Sequence, residues 1–100
     1  MLAAAEKRRQ SRFYDPQLGD VPVCFLTDAD TTGGNSGSPT LNAQGELVGL
    51  LFDGNIESVA SDIVWNHALT RSIHLDIRYM AWVMTTIDHA DALAAELGLP

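Results

Sequence analysis

The sequence predicts a mainly β fold that closes with C-terminal helices, and three observations carry that prediction. Two β-branched and aromatic runs, Val21 to Leu26 and Leu47 to Phe52, are bounded by Gly, Pro, Asn and Asp, the pattern of strands between turns. Between them lies a loop rich in glycine and serine, residues 31–39. From Asp76 onward the apolar spacing changes from two to three and four, so that Ile77, Met80, Ala81, Met84 and Ile87 share one helical face.

In chain order, Ala3 to Arg12 is built of strong helix formers and predicts a short helix, with Asp15-Pro16 and Gly19-Asp20 marking the loop behind it. Lys7, Arg8, Arg9 and Arg12 cluster there and read as a solvated helix face. Val21 to Leu26 is the first expected strand. Its Cys24, the single cysteine, reads as a small core residue. Asn42-Ala43-Gln44-Gly45 supplies the turn that leads into the next strand, Leu47 to Phe52. Asp53-Gly54-Asn55 predicts a turn, and Ser61 to Asn66 and Arg71 to Leu75 predict further strands, with His74 facing solvent. Asp76 suits the N-cap of the helix that follows, and a second helix, Ala90 to Leu97, ends at Gly98 with Pro100 beyond it. The methionines and Trp82 on the first of these helices read as a core stripe.

The chemistry concentrates in Gly34-Asn35-Ser36-Gly37-Ser38-Pro39. A serine hydroxyl is a useful nucleophile only when a base takes its proton and amide hydrogens meet the oxyanion that forms after attack. Flanking glycines let consecutive N–H groups turn into one small space, a conformation that a residue with Cβ resists. Ser36 Oγ is the candidate nucleophile, with the N–H groups of Gly34 and Ser36 as oxyanion donors. The same residue types also make plain turns, and context favours catalysis. A serine loop entered from one strand and left through a hairpin suits a chymotrypsin-like β-barrel peptidase and not the strand-to-helix elbow of an α/β-hydrolase. The fold class expected is therefore the C-terminal part of a double β-barrel, an incomplete second barrel followed by helices.

Composition narrows the partners. A hydrophobic content of 46% is that of an ordinary globular chain, and a net charge of −7 argues against nucleic acid, which needs clustered Lys and Arg. No apolar run approaches the roughly 20 residues of a membrane helix, and the apolar residues 1–5 precede the basic ones, the reverse of a signal peptide. No cofactor is expected, nor a metal, because no pair of His67, His74 and His89 has the short helical spacing of metal ligands. Those three histidines all lie after Ser36, whereas chymotrypsin-like enzymes place the base before the serine. The chain thus reads as a C-terminal portion whose catalytic His and Asp belong to sequence outside it.

Thr31-Thr32-Gly33-Gly34-Asn35-Ser36-Gly37-Ser38-Pro39 resembles both staphylococcal-type glutamyl endopeptidases and bacterial dipeptidyl-peptidase 7/11-type serine exopeptidases. The nonapeptide does not separate the two. Gly45-Glu46-Leu47-Val48-Gly49-Leu50, Phe52-Asp53-Gly54-Asn55, Ser61-Asp62-Ile63, Arg71-Ser72-Ile73 and Asp76-Ile77-Arg78-Tyr79 are similar to the exopeptidase family, as is Val21 to Leu26, so the resemblance covers residues 13–97. It implies a two-barrel fold with an added helical domain, and removal of dipeptides from the free amino end of peptides. Ser36 matches the family nucleophile, and Gly34 with Ser36 the oxyanion donors. Asp53 matches the carboxylate that holds the substrate ammonium, although an Asp-Gly pair by itself reads as a turn. Gly54 matches the position that sets the specificity pocket, where an Arg selects acidic side chains and a Gly leaves room for hydrophobic ones; Phe52 stands beside them in the substrate-binding segment. The resemblance also implies residues 1–12 as a connection from a helical domain, 13–76 as part of the second barrel, and 77–100 as helices packed on it. It further implies export to the periplasm or cell surface, a full-length homodimer, and inactivity of this chain alone. The alternatives are a glutamyl endopeptidase or a non-catalytic truncated product.

Overall fold

The computed structural model describes residues 6–55 and 69–98. They form two compact units: one from residues 1–23 and 77–100, the other from Cys24 to Asp76. Residues 13–23 therefore group with the C-terminal helices, where the sequence placed them with the barrel.

The second unit is a four-stranded antiparallel sheet of β1 (Cys24–Thr27), β2 (Pro39–Leu41), β3 (Leu47–Gly54) and β4 (Ser72–Asp76), in the order β1-β4-β3-β2. The expected hairpin joins β2 to β3. Asn42 Oδ1 accepts the N–H groups of Gln44 and Glu46, each at 3.0 Å, and Gly45 closes the turn with φ 78°. Register then sorts the residues between two faces, because pairs directly opposite one another share a face. Phe25, Thr27, Thr40, Gly49, Leu51, Ser72, His74 and Asp76 line one face; Cys24, Leu26, Leu50, Ile73 and Leu75 line the other. The first face is close-packed at Gly49, where a Cβ would stand 2.6 Å from Leu75 O and 2.7 Å from the Phe25 ring. Only glycine fits there.

Two expectations fail on this sheet. Cys24 is exposed, because β1 is an edge strand and the face that Cys24 shares with Leu26 and Leu75 is open; Leu26 is 62% exposed. Asp53-Gly54 does not turn the chain, since β3 continues through both. The register slips between Leu51 and Asp53, making Phe52 the extra residue of a bulge, and a bulge lets a strand absorb a turn-prone pair without ending. Asn55 then ties off the strand, its N–H donating to Arg71 O and its Oδ1 accepting from Arg71 N–H, each at 3.0 Å. The expected strand Ser61 to Asn66 lies outside the described residues.

In the first unit, the expected helix Ala3 to Arg12 is reduced to one 3-10 turn, Arg8–Gln10, within the described residues. None of its residues is buried, and so short a segment needs a buried face to hold a longer helix. Asp15 Oδ1 accepts the Gln17 N–H at 2.9 Å, and Arg78 pairs with Asp15 at 3.3 Å, as Arg8 does with Asp20 at 3.1 Å. The C-terminal stripe folds as α1 (Ile77–Trp82) running into a π-helical turn, Val83–Ile87, whose end is closed by Asp88 N–H on Val83 O at 2.9 Å. Ala81 and Trp82 are buried, whereas Ile77, Met80, Met84 and Ile87 of the expected core stripe are half-buried. His89 (φ 51°) turns the chain into α2 (Asp91–Glu96), which ends at Gly98 with φ 72°. Among the described residues no helix is long and apolar enough to cross a membrane.

Candidate active site

Ser36 sits at the corner of two successive hydrogen-bonded turns. The first closes with Asn35 N–H on Thr32 O at 3.2 Å, reinforced by Thr32 N–H on Asn35 Oδ1 at 2.8 Å; the second closes with Ser38 N–H on Asn35 O at 3.0 Å. Each has a glycine in its third position, Gly34 with φ 95° and Gly37 with φ 85°, as a type II turn demands. Ser36 is exposed. Among the described residues its hydroxyl, its N–H and the N–H of Gly34 have no hydrogen-bond partner.

The loop is stitched to the sheet directly after the serine. Gly37 N–H donates to Leu51 O at 2.7 Å and Leu51 N–H to Ser38 O at 3.0 Å. The next residues of β3 are Phe52, Asp53 and Gly54, so the serine loop and the proposed substrate-binding segment meet on one strand. The bulge leaves Phe52 49% exposed. Asp53 is exposed as well, and its Oδ1 accepts the Gly54 N–H at 2.8 Å.

Behind the loop a cleft of about 350 Å³ is lined by Asn35 and Ser38, the residues on either side of Ser36 and Gly37, and by Asp30, Thr40, Leu51 and His74. His74 overturns its expected place in solvent. It is 3% exposed, stacked on Phe25 with ring centroids 5.0 Å apart, and bonded through Nε2 to Thr27 Oγ1 and through Nδ1 to Thr40 Oγ1, each at 2.6 Å. Strand alternation predicts that His74 opposes Ile73 and Leu75, but not which side is covered, and here the covered side is the polar one. Burial holds the imidazole below its usual 6.5. With both ring nitrogens engaged, His74 is not a base for Ser36. His89 lies in the helical unit, and His67 lies outside the described residues. Among the described residues no cluster of His, Cys, Asp and Glu could hold a metal ion.

The hydroxyl residues that hold this loop, Thr27, Thr31, Thr40 and Ser72, were not marked as functional by the sequence. Their one signal is Ser72 two residues before His74, a polar period inside an apolar run.

The profile of the family Peptidase S46 matches residues 1–99. The chain is 53% identical over 83 residues to the Asp/Glu-specific dipeptidyl-peptidase of Shewanella putrefaciens, covering 83% of this chain and 11% of that protein. It is 48% identical over 92 residues to the dipeptidyl-peptidase 7 of Capnocytophaga gingivalis, covering 92% and 13%. The crystal structure of Porphyromonas endodontalis DPP11 with the dipeptide Arg-Asp superposes over 99% of the chain and 14% of that one, with a TM-score of 0.91 and 39% identity. The chain thus spans between a tenth and a seventh of the length of these relatives.

Proposed function

Since this chain belongs to the Peptidase S46 family, we propose that it is the nucleophile-bearing segment of a serine-type dipeptidyl peptidase that releases dipeptides from the free amino end of peptides. The observation that supports this most directly is the exposed Ser36 at the junction of two glycine-bearing turns. Ser36 Oγ attacks the carbonyl carbon of the second residue of the substrate, and its proton passes to a base supplied from outside the described residues. The N–H groups of Gly34 and Ser36 meet the oxyanion; the base returns the proton to the leaving amine, and water then releases the dipeptide from the serine ester.

Counting from the amino end requires a group that recognises an ammonium. Asp53 serves, because a carboxylate accepts a charge-assisted hydrogen bond from it. At the second substrate position the reading is a hydrophobic side chain. Gly54 offers no cation, and Arg71, the sole Lys or Arg between Cys24 and Asp76, turns its guanidinium to Thr70 O at 2.7 Å. Without a cation from elsewhere, an acidic side chain there would be desolvated without a partner, which costs several kcal/mol. Phe52 supplies an apolar surface beside it. Export to the periplasm or cell surface belongs to the same proposal.

The test is to build this chain into the Shewanella relative in place of its matching segment and assay dipeptide reporters. Cleavage is expected with hydrophobic second residues, not with a blocked amino terminus, and Ser36→Ala is expected to lower kcat by about 10⁴-fold or more. Full activity in Ser36→Ala overturns the nucleophile, and a preference for Asp or Glu overturns the role of Gly54. The 100-residue chain alone is expected to be inactive.

A further inference from the structure

Ser72 and His74 stand two apart on β4, so both side chains leave the same face of the sheet. On that face they reach both arms of the loop that carries Ser36. On the incoming arm, Ser72 Oγ donates to Ala29 O at 2.9 Å and lies 2.5 Å from Thr31 Oγ1, while His74 Nε2 meets Thr27 Oγ1. On the outgoing arm, His74 Nδ1 meets Thr40 Oγ1. Thr27 and Thr40 sit on the two outer strands of the sheet and are joined through one imidazole.

We propose that Ser72 and His74 form a polar clamp that positions the Ser36 loop, His74 being the positioning residue that couples its two arms; this rests on the reading of Ser36 as nucleophile. The chemistry of imidazole suits the task. A neutral ring donates through one nitrogen and accepts through the other, and a threonine hydroxyl can do either, so both contacts are satisfied without charge. An imidazolium would need both hydroxyls as acceptors in a site whose other walls, Phe25 of β1 and Leu51 of β3, are apolar. Among the described residues, Asp30 is the one other titratable group that lines the cleft, and it is exposed; Asp76, two residues along β4 on the same face, is 5% exposed. Protonation therefore buries a charge and confines both threonines to the acceptor role, which weakens the clamp on the acid side. Ser72, 1% exposed and uncharged, holds the incoming arm at any pH.

The experiment uses the Shewanella chimera for activity and the full 100-residue chain for amide hydrogen exchange. His74→Phe and Thr40→Val are expected to lower kcat about tenfold to a hundredfold, because a misplaced nucleophile loses its attack geometry, with KM within about twofold. His74→Gln, which keeps a donor and an acceptor and never ionises, is expected to restore most of kcat and to abolish the acid-side fall that residue 74 causes. Exchange is expected to quicken at the hydrogen-bonded amides of Asn35, Gly37 and Ser38 in His74→Phe and to return in His74→Gln. Unchanged kcat in both His74→Phe and Thr40→Val overturns the clamp, as does exchange that quickens across the whole sheet instead of at the loop. Full activity of the Ser36→Ala chimera counts against the nucleophile, while the exchange pattern still decides the clamp.

Discussion

The two faces of the sheet invert the usual arrangement. On one, Ser72, His74 and Asp76 are 1%, 3% and 5% exposed; on the other, the apolar Leu26 is 62% exposed and Ile73 and Leu75 are half-buried. A polar face is worth burying only when every group on it finds a partner, and Ser72 and His74 do, each bridging to residues beside the serine loop. Directional hydrogen bonds set positions in a way that apolar contact does not. The buried polar face thus belongs to the loop, and the apolar face is a surface of another kind.

The contrast can be broken most sharply at Gly49, where the polar face is tightest. Gly49→Val drives carbon into Leu75 O and the Phe25 ring, and overpacking of that kind is expected to cost about 3 kcal/mol, read as a fall in melting temperature. A smaller effect comes from pH. The folded His74 binds its proton less readily than the unfolded chain does, so its contribution is complete above the ordinary 6.5 and declines as pH falls from there through the lower native value. Urea melts between pH 7.5 and 5 should show that loss in the wild type, and His74→Gln should remove the part due to this residue. The least effect is expected on the apolar face: Leu26→Ser, at an exposed edge position, should change stability by no more than about 0.5 kcal/mol. It should nonetheless reduce binding of a hydrophobic dye, and an equal response in Gly49→Val and Leu26→Ser would erase the distinction between the faces.

Much of the chain was legible before any coordinates. Asn42 to Gly45 announced its hairpin, because Asn accepts from the backbone around it and Gly takes positive φ. The apolar spacing after Asp76 announced α1, and Gly98 the end of α2. The failures share a cause. Cys24, His74 and the Asp53-Gly54 pair each have a local preference that the sheet overrode: an edge position exposed the first, a pair of threonines from other strands buried the second, and a bulge at Phe52 carried β3 through the third.

By itself the sequence determined what depends on neighbours along the chain, above all the backbone of the Ser36 loop, whose positive φ angles only glycine adopts without cost. It also determined which family the chain belongs to. Only the tertiary structure decided which side of β4 is covered and which side chains hold the loop from behind. Alternation along a strand defines two faces but carries no label for inside, and Thr27, Thr40 and His74 are brought to one point by pairing between strands far apart in sequence.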